Sequence, residues 1–500
     1  MPVTRSNAVR LVRFLVGLFF RRIEVSGVEH VPNTGGGILI AWHPNGLVDP
    51  ALIISSLPRS VVFGARHGLF HWPMVGPLMR ALGTVPIYRA SDLKERDDAT
   101  RRKANRESLD ALAQAVCDGR FAALFPEGVS HDDPFLQELK TGAARLYYRA
   151  QQLCAGNGVA PVIIPVGLHY NDKTTFRSDV LVEFHAPLQL PAELLAPIPE
   201  DDDALLRARS GQLTQILEPV LQEVTHATES WELNQLMNRV RTLMRAERAK
   251  RAGVSLKAPG MRERSLGMAR VWKAYYARLR SEPDKVQALL DRVSAYHQAL
   301  LEVKLEDDDL DKPPPIESKW LPVVLGAQAA VVFLVFPPVL VLGSLINAGP
   351  YFLTNVISRI ASKQYKDTAT IKLLAGLVLF PLAWLTAALL VGLGQIELHE
   401  SFRGIPRAPW AAGITTFLIG TFGGALALVY LELVRRTWTS IKIRAKRQWG
   451  STIIRRLSIE RAALYEEIEE MREGLDLAGD VLGDGRVGTR TLTLDQDDMP

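Results

Sequence analysis

A histidine and an aspartate lie in one loop, directly after a short apolar run. The run covers 37–42 and is followed by His43-Pro44-Asn45-Gly46-Leu47-Val48-Asp49-Pro50. A histidine with a nearby carboxylate can act as a general base, because the carboxylate fixes the imidazole tautomer and stabilises the imidazolium. A substrate hydroxyl would then be activated as the serine is in a serine-protease triad. The same residues also fit a structural role, in which Asp49 caps a helix and Pro50 begins it.

Polar residues follow two further apolar runs. Arg89 follows the run 83–88, and an arginine at the end of a buried strand suits a phosphate, with a surface ion pair as the alternative. Glu127 and Gly128 follow a run that ends at Phe125, and a glycine backbone can approach a ligand closely. A tight turn capped by Ser130 explains the same residues without function. A fourth loop, Ile164-Pro165-Val166-Gly167, has no reactive group and would only form the wall of a pocket.

Strand-like and helix-like segments alternate from about residue 27 to residue 187 and must position these loops. Short apolar runs such as 121–125 and 162–166 predict strands, whereas 101–117 and 142–152 have the pattern of helices. Buried strands separated by helices are typical of a sheet covered by helices on at least one face. The sequence therefore predicts an α/β domain in which the polar residues lie at strand ends.

In order and spacing, the four loops resemble the four motif blocks of the glycerophosphate/lysophosphatidate acyltransferase superfamily. The connecting residues agree, with Ala65-Arg66-His67-Gly68-Leu69-Phe70 before the second block and Lys140-Thr141-Gly142-Ala143 after the third. The resemblance covers about 28–187, roughly a third of the chain. Five residues separate His43 from Asp49, where the common family pattern has four. This longer spacing resembles that of the fungal-type glycerol-3-phosphate/dihydroxyacetone-phosphate acyltransferases.

The resemblance implies an α/β acyltransferase domain with a mixed sheet flanked by helices. The enzyme would move a fatty acyl group from acyl-CoA or acyl-carrier protein to a hydroxyl of glycerol 3-phosphate or dihydroxyacetone phosphate. His43 would deprotonate the hydroxyl, Asp49 would hold the imidazole, and Arg89 would bind the phosphate. The expected substrate-binding residues are Arg89, Glu127, Gly128, Ser130 and Arg66. The alternatives are a lysophosphatidate or other lysophospholipid acyltransferase, and an inactive lipid-binding membrane scaffold.

Metal and nucleic-acid sites are not expected. His67 and His71 have helical spacing, but no third ligand follows a zinc pattern, so neither a metal nor a bound cofactor is predicted. The net charge of +5 suits an anionic membrane surface or anionic substrates. Neither arginine–aromatic interleaving nor zinc-finger spacing points to nucleic acid.

Cys117 and Cys154 argue against a disulfide framework and favour a reducing compartment.

The last third of the chain has the composition of a membrane domain. Residues 320–358 contain no charged residue, and this run is longer than the ~20 residues that one spanning helix needs. Pro337-Pro338 divides it, which favours a hairpin. Single spans are predicted at 373–393 and 411–430. Basic residues follow the hairpin and the last span, so the positive-inside rule predicts an integral membrane protein with its catalytic domain on the cytoplasmic face.

The N-terminal helix has arginines toward one side and the apolar residues Leu11, Phe14, Leu15 and Leu18 on the other. This pattern predicts an interfacial helix lying on the bilayer, with packing on its own domain as the alternative.

The predicted organisation is an interfacial anchor helix at 1–24, an acyltransferase domain at 25–200, a helical region at 201–311, a linker at 312–319, a transmembrane domain at 320–434 and a basic, amphipathic cytoplasmic tail with a disordered end at 435–500.

Overall fold

The structure is a computed structural model that forms two compact units. One unit contains the described residues up to Leu290 together with those from Glu469 onward, and the other extends from Asp291 to Ile468. The described residues are 5–73, 75–88, 98–155, 160–199, 202–255, 257–311, 326–327, 330, 336–361, 368–402, 404–449 and 451–489. Each unit is described separately.

A seven-stranded mixed sheet forms the centre of the first unit. Its strands are β1 (Arg22–Ser26), β2 (Gly37–Ala41), β3 (Val61–Arg66), β4 (Val85–Ile87), β5 (Phe121–Leu124), β6 (Val162–Tyr170) and β7 (Asp179–Phe184). The strand order is β1-β7-β6-β2-β5-β3-β4. Strands β6, β2, β5, β3 and β4 are parallel, whereas β7 runs antiparallel to β6 and pairs in parallel with β1. The loops that follow the five parallel strands therefore meet at one edge.

Helices cover this sheet, which confirms the predicted mixed sheet flanked by helices. They are α1 (Arg5–Phe19), α2 (Val48–Ser56), α3 (Val75–Leu82), α4 (Asp98–Cys117), α5 (Gly142–Cys154), α6 (Ala192–Leu195), α7 (Asp203–Thr225), α8 (Trp231–Arg251) and α9 (Met261–Ser281). Helix α10 (Pro283–Val303) follows them. The residues Ile38, Leu39 and Ile40 of β2 are fully buried. A continuous apolar run is required there because a central parallel strand is covered on both faces.

Helix α7 packs into the same core as the sheet, although the predicted acyltransferase domain ended at residue 200. Leu213, Leu217 and Leu221 are buried in one apolar cluster with Ile38 of β2 and Tyr147 of α5. These leucines recur every fourth residue and so form a single apolar stripe, which is stable only when another surface covers it. The apolar core therefore continues past the predicted boundary at 201, and α7 shares this core with the sheet.

Helix α1 presents two apolar faces. One face, which includes Val12, Val16 and Phe19, is buried and packs against α2 and α3. The other exposes Leu11, Phe14 and Leu18. Packing on its own domain, the alternative interpretation of this helix, is therefore observed. Of the residues expected to face a bilayer, Leu15 is buried, whereas Leu11, Phe14 and Leu18 remain exposed.

The two cysteines form a disulfide, so the expectation that argued against one was wrong. Cys117 is the last residue of α4 and Cys154 the last of α5, and their Cα atoms lie 5.2 Å apart. The pairing arises because α4 and α5 pack side by side with their C-terminal ends together. The argument from cysteine usage to a reducing compartment therefore has no support.

Of the tail whose end was predicted to be disordered, the structure describes residues up to 489, with α14 (Ser451–Arg472) followed by two short strands. Strands β8 (Asp480–Val481) and β9 (Val487–Gly488) form an antiparallel hairpin. Arg270 of α9 donates hydrogen bonds to the carbonyls of Ala478 and Gly479 at 3.0 and 2.7 Å. These bonds hold the segment that leads into the hairpin against α9 within the first unit. Residues 490–500 lie outside the described residues.

The second unit contains three long helices that pack against one another: α11 (Phe336–Ala361), α12 (Thr368–Ser401) and α13 (Pro409–Trp449). The predicted spans 373–393 and 411–430 lie within α12 and α13. By length and composition, α12 and residues 409–427 of α13 could cross a membrane. The second half of the predicted hairpin lies in α11, whereas most of its first half and the linker 312–319 lie outside the described residues.

Close backbone contact joins α11 to α13. A Cβ atom added at Gly343 would lie 2.7 Å from the Cα atom of Gly423. Asn347, one turn further along α11, donates to the carbonyls of Gly343 and Gly420, each at 2.8 Å. The Asn347 carbonyl also accepts a hydrogen bond from Trp384 of α12 at 3.0 Å. Small residues here let the helices approach, and one amide side chain connects all three.

Replacing Gly343 with valine is expected to destabilise this helical unit by about 2 kcal/mol, because the new side chain must force α11 away from Gly423. The measurement is loss of helical circular dichroism of the detergent-solubilised protein as the fraction of SDS rises. Gly349→Val is the matched control, since a Cβ atom at this position of α11 meets nothing within 4 Å. Equal destabilisation by both substitutions would contradict the prediction.

Candidate active site

His43 and Asp49 come together at the carboxyl edge of the sheet. His43 follows β2, and Asp49 lies in the first turn of α2. The Nδ1–H group of His43 donates to Oδ2 of Asp49 at 2.8 Å. This bond leaves Nε2 as the nitrogen that can accept a proton. The five-residue separation of the two residues is therefore compatible with direct contact.

The carboxylate of Asp49 is completely buried and points back toward the loop. Its Oδ2 atom also accepts a hydrogen bond from the backbone N–H of Asn45 at 2.7 Å. Helix α2 begins at Val48, and its N-cap position, Leu47, makes no side-chain capping bond. The helix-cap alternative for Asp49 is therefore not what the structure shows.

The His43 ring is held from one side by Phe125, which follows β5. The two rings are stacked, with centroids 3.9 Å apart and planes inclined by 9°. The side chain of His43 keeps 17% of its surface exposed, whereas Asp49 keeps none. The histidine is therefore the member of the pair that a substrate can reach.

Glu127 lies beside this pair and has one unused oxygen. Its side chain is buried, and its Oε1 atom accepts hydrogen bonds from His131 Nε2 at 2.6 Å and from the Gln137 backbone at 2.8 Å. The other oxygen, Oε2, is buried without a partner among the described residues. The backbone N–H of His131 donates to the carbonyl of His43 at 3.2 Å, which joins the two loops. A buried oxygen without a donor, such as Oε2, can accept a hydrogen bond from a hydroxyl group of a bound molecule.

Gly128 forms the turn after Glu127. Its φ of +68° lies in the left-handed region that favours glycine, and its N–H donates to the Phe125 carbonyl at 2.9 Å. Ser130 is half-buried further along the same loop. The tight turn is therefore observed at Gly128, and it leaves a ligand-binding role open because Gly128 is exposed.

Arg89 lies outside the described residues, but the residue before it is fixed at the same edge. The side-chain amide of Asn105 accepts from the N–H of Tyr88 at 3.0 Å and donates to its carbonyl at 2.9 Å. Arg66 ends β3 at this edge, next to Ile87 of β4, and is exposed. The chain therefore enters the predicted phosphate-binding segment from the active-site edge.

His67 and His71, whose helical spacing was considered for zinc, make ring–ring contacts. His67 lies 4.8 Å from the ring of His71 and stacks on Tyr88 with centroids 4.6 Å apart. Across the part of the chain that the structure describes, no three His, Cys, Asp or Glu side chains are grouped to hold a metal ion.

Sequence reasoning missed two residues of this site, Tyr170 and Lys173. The hydroxyl of Tyr170 donates to Asp49 Oδ1. The ammonium of Lys173 donates to the Pro44 carbonyl at 3.1 Å and pairs with Asp132. The available signal was position, since Tyr170 is the last residue of β6. The residues predicted as a fourth loop, Ile164-Pro165-Val166-Gly167, lie within this strand, which corrects that prediction.

Comparisons with known proteins cover the region of the chain that contains this arrangement. Residues 22–169 match the family model described as Acyltransferase. An uncharacterized acyltransferase of Schizosaccharomyces pombe is 24% identical over 37% of this chain and 38% of its own length. Glycerol-3-phosphate O-acyltransferase 1 of Saccharomyces cerevisiae is 26% identical over 57% of this chain and 36% of its own length. The chain thus spans little more than a third of these relatives.

A solved structure, that of the 1-acyl-sn-glycerophosphate (LPA) acyltransferase PlsC from Thermotoga maritima, is 18% identical over 43% of this chain and 80% of its own, with a TM-score of 0.30. The family match covers the sheet from β1 to β6 and both members of the His43–Asp49 pair. The chain thus carries a region, 22–169, that matches the Acyltransferase family, and this match supports the resemblance to the glycerophosphate acyltransferase superfamily.

Proposed function

We propose that this protein transfers a fatty acyl group from acyl-CoA or acyl-carrier protein to a hydroxyl of glycerol 3-phosphate or dihydroxyacetone phosphate. The observation that carries the proposal is the His43–Asp49 hydrogen bond of 2.8 Å inside the acyltransferase domain. The two yeast relatives named glycerol-3-phosphate O-acyltransferases support this class of acceptor.

The reaction uses the pair as a general base. Nε2 of His43 takes the proton of the acceptor hydroxyl as its oxygen attacks the thioester carbonyl. The buried Asp49 carboxylate stabilises the imidazolium that forms. The tetrahedral intermediate then collapses, the carbon–sulfur bond breaks, and the leaving thiolate takes the proton back from His43. The products are the acylated acceptor and a free thiol.

The acceptor is held by the loops that surround this pair. Arg89 binds the phosphate through its planar guanidinium, which matches phosphate geometry. The unpartnered Oε2 of Glu127 accepts a hydrogen bond from a second hydroxyl of the glycerol unit. Gly128, Ser130 and Arg66 form the remainder of the acceptor site at the same edge.

The test is an acyl-transfer assay on the detergent-solubilised protein with labelled palmitoyl-CoA. Glycerol 3-phosphate, dihydroxyacetone phosphate and lysophosphatidate are offered in parallel. Product from either of the first two is expected. Product from lysophosphatidate alone would favour the second candidate, a lysophosphatidate acyltransferase, which plastid relatives of 24% and 25% identity support. No product from any acceptor, with carrier-protein donors also tried, would favour the inactive scaffold.

We place the protein in a bilayer with its catalytic domain on the cytoplasmic face. Exposed apolar side chains along α12 and α13, such as Leu389 and Phe422, support the membrane assignment. The basic residues after 411–430 support the orientation. The exposed face of α1 formed by Leu11, Phe14 and Leu18 lies on the membrane surface in this proposal.

A further inference from the structure

Tyr170 contacts the oxygen of Asp49 that His43 does not use. It is the last residue of β6, which pairs in parallel with β2 through Ala41 and Val166. The end of β6 therefore lies beside the loop that begins with His43. The Tyr170 hydroxyl donates to Oδ1 of Asp49, whereas His43 and Asn45 donate to Oδ2.

The buried carboxylate depends on these donors. Asp49 has no exposed surface, and a buried carboxylate is costly unless both of its oxygens are hydrogen-bonded. Burial, together with the negative charge of Asp49, raises the pKa of Tyr170 well above its ordinary value. The phenol therefore remains protonated and donates at any pH at which the protein would work. Its ring contacts Phe20, with centroids 6.0 Å apart.

The residues after Tyr170 hold the rest of the loop. The side-chain amide of Asn45 donates to the carbonyl of Lys173 at 3.0 Å, and the Lys173 ammonium donates to the carbonyl of Pro44 at 3.1 Å. The backbone of the loop thus has supports of its own. What the Tyr170 hydroxyl adds is a bond to the Asp49 carboxylate itself.

We infer that Tyr170 is a positioning residue for acyl transfer, whose hydroxyl keeps Asp49 Oδ2 directed at His43 while the histidine gains and loses its proton. The inference rests on the proposed function. Without this hydroxyl, Oδ1 is a buried acceptor that lacks a donor among the described residues, and the carboxylate turns toward other partners. Tyr170 acts through Asp49 and does not bind substrate, so it affects turnover and not substrate affinity.

The test is a double-mutant cycle in kcat with Tyr170→Phe, Asp49→Asn and the double variant. Tyr170→Phe removes one oxygen atom and is expected to lower kcat about 20-fold, with KM for donor and acceptor within about twofold of wild type. In the Asp49→Asn background, the same change is expected to alter kcat by less than about threefold, because the carboxylate that Tyr170 positions is absent.

The matched control is Tyr148→Phe. Tyr148 is fully buried in α5, and its hydroxyl has no hydrogen-bond partner in the described part of the chain. This variant is expected to keep wild-type kcat. Thermal unfolding of every variant shows whether each one is folded.

Two outcomes overturn the inference alone. One is full kcat in Tyr170→Phe while His43→Ala loses activity. The other is the same fold-loss from Tyr170→Phe in both backgrounds, which indicates a general structural role. Absence of product from the wild-type protein with every donor and acceptor overturns the proposed function and this inference with it.

Discussion

Replacing His43 with alanine is expected to lower the turnover of acyl transfer by at least about 10³-fold, while the protein stays folded. The substitution removes the only group of the proposed mechanism that takes the proton from the acceptor hydroxyl. It leaves Asp49 with its bonds from Asn45 and Tyr170. Because the lost interaction acts in the transition state, kcat falls and KM changes little.

The measurement is the rate of labelled product formation under saturating donor and acceptor, with circular dichroism to verify the fold. His71→Ala is the matched control, since this exposed histidine follows β3 and contacts the ring of His67. The control is expected to keep turnover within about twofold of wild type, as surface substitutions usually do. Equal turnover in His43→Ala and wild type would remove His43 from the mechanism.

Acidification from pH 7 to pH 4 is expected to destabilise the first unit strongly, because the fold keeps three histidines neutral, of which His226 is buried and His169 and His185 are half-buried. Burial lowers the pKa of His169 to about 4, with Glu183 opposing and His185 adding to this effect. Burial likewise lowers the pKa of His185 and, to well below its ordinary value, that of His226. His226 stacks on His169, with centroids 5.1 Å apart.

The direction of this pH effect follows from whether the folded or the unfolded state binds protons more readily. A histidine whose pKa is depressed in the folded state takes up its proton more readily when unfolded. The stability is therefore fully present above the unfolded value of about 6.5 and is lost as the pH falls toward 4. For His169 alone, a pKa lowered from 6.5 to about 4 corresponds to about 3 kcal/mol. The other two histidines act in the same direction.

The measurement is the free energy of unfolding by urea at a series of pH values. His169→Gln is expected to flatten the loss of stability between pH 6.5 and 4, whereas His71→Gln leaves it unchanged. Asp179, the carboxylate that pairs with Arg21, does not dominate this window. The hydrogen bond from Arg21 lowers the pKa of Asp179, so its contribution is lost only below the ordinary carboxylate value of about 3.9. An unchanged slope in His169→Gln would refute the prediction.

The local sequence pattern was enough to predict the strands and helices of the sheet domain and the His43–Asp49 pair that they position. The apolar run that ends before His43 became β2, because an uninterrupted apolar strand must be covered on both faces. The loop from His43 to Asp49 was predicted to place a base beside a carboxylate, and the structure brings the two side chains to 2.8 Å. Both features involve residues that are close together in the chain, where spacing and residue type restrict the geometry.

Only the tertiary structure decided the contacts between distant segments. Tyr170 reaches Asp49 across 121 residues because β6 is the neighbour of β2. Cys117 meets Cys154 because α4 and α5 lie side by side. Helix α7 completes the core beyond the predicted domain boundary. Periodicity shows which face of a segment must be buried, but not which segment covers it, since strand order and helix packing depend on the whole chain.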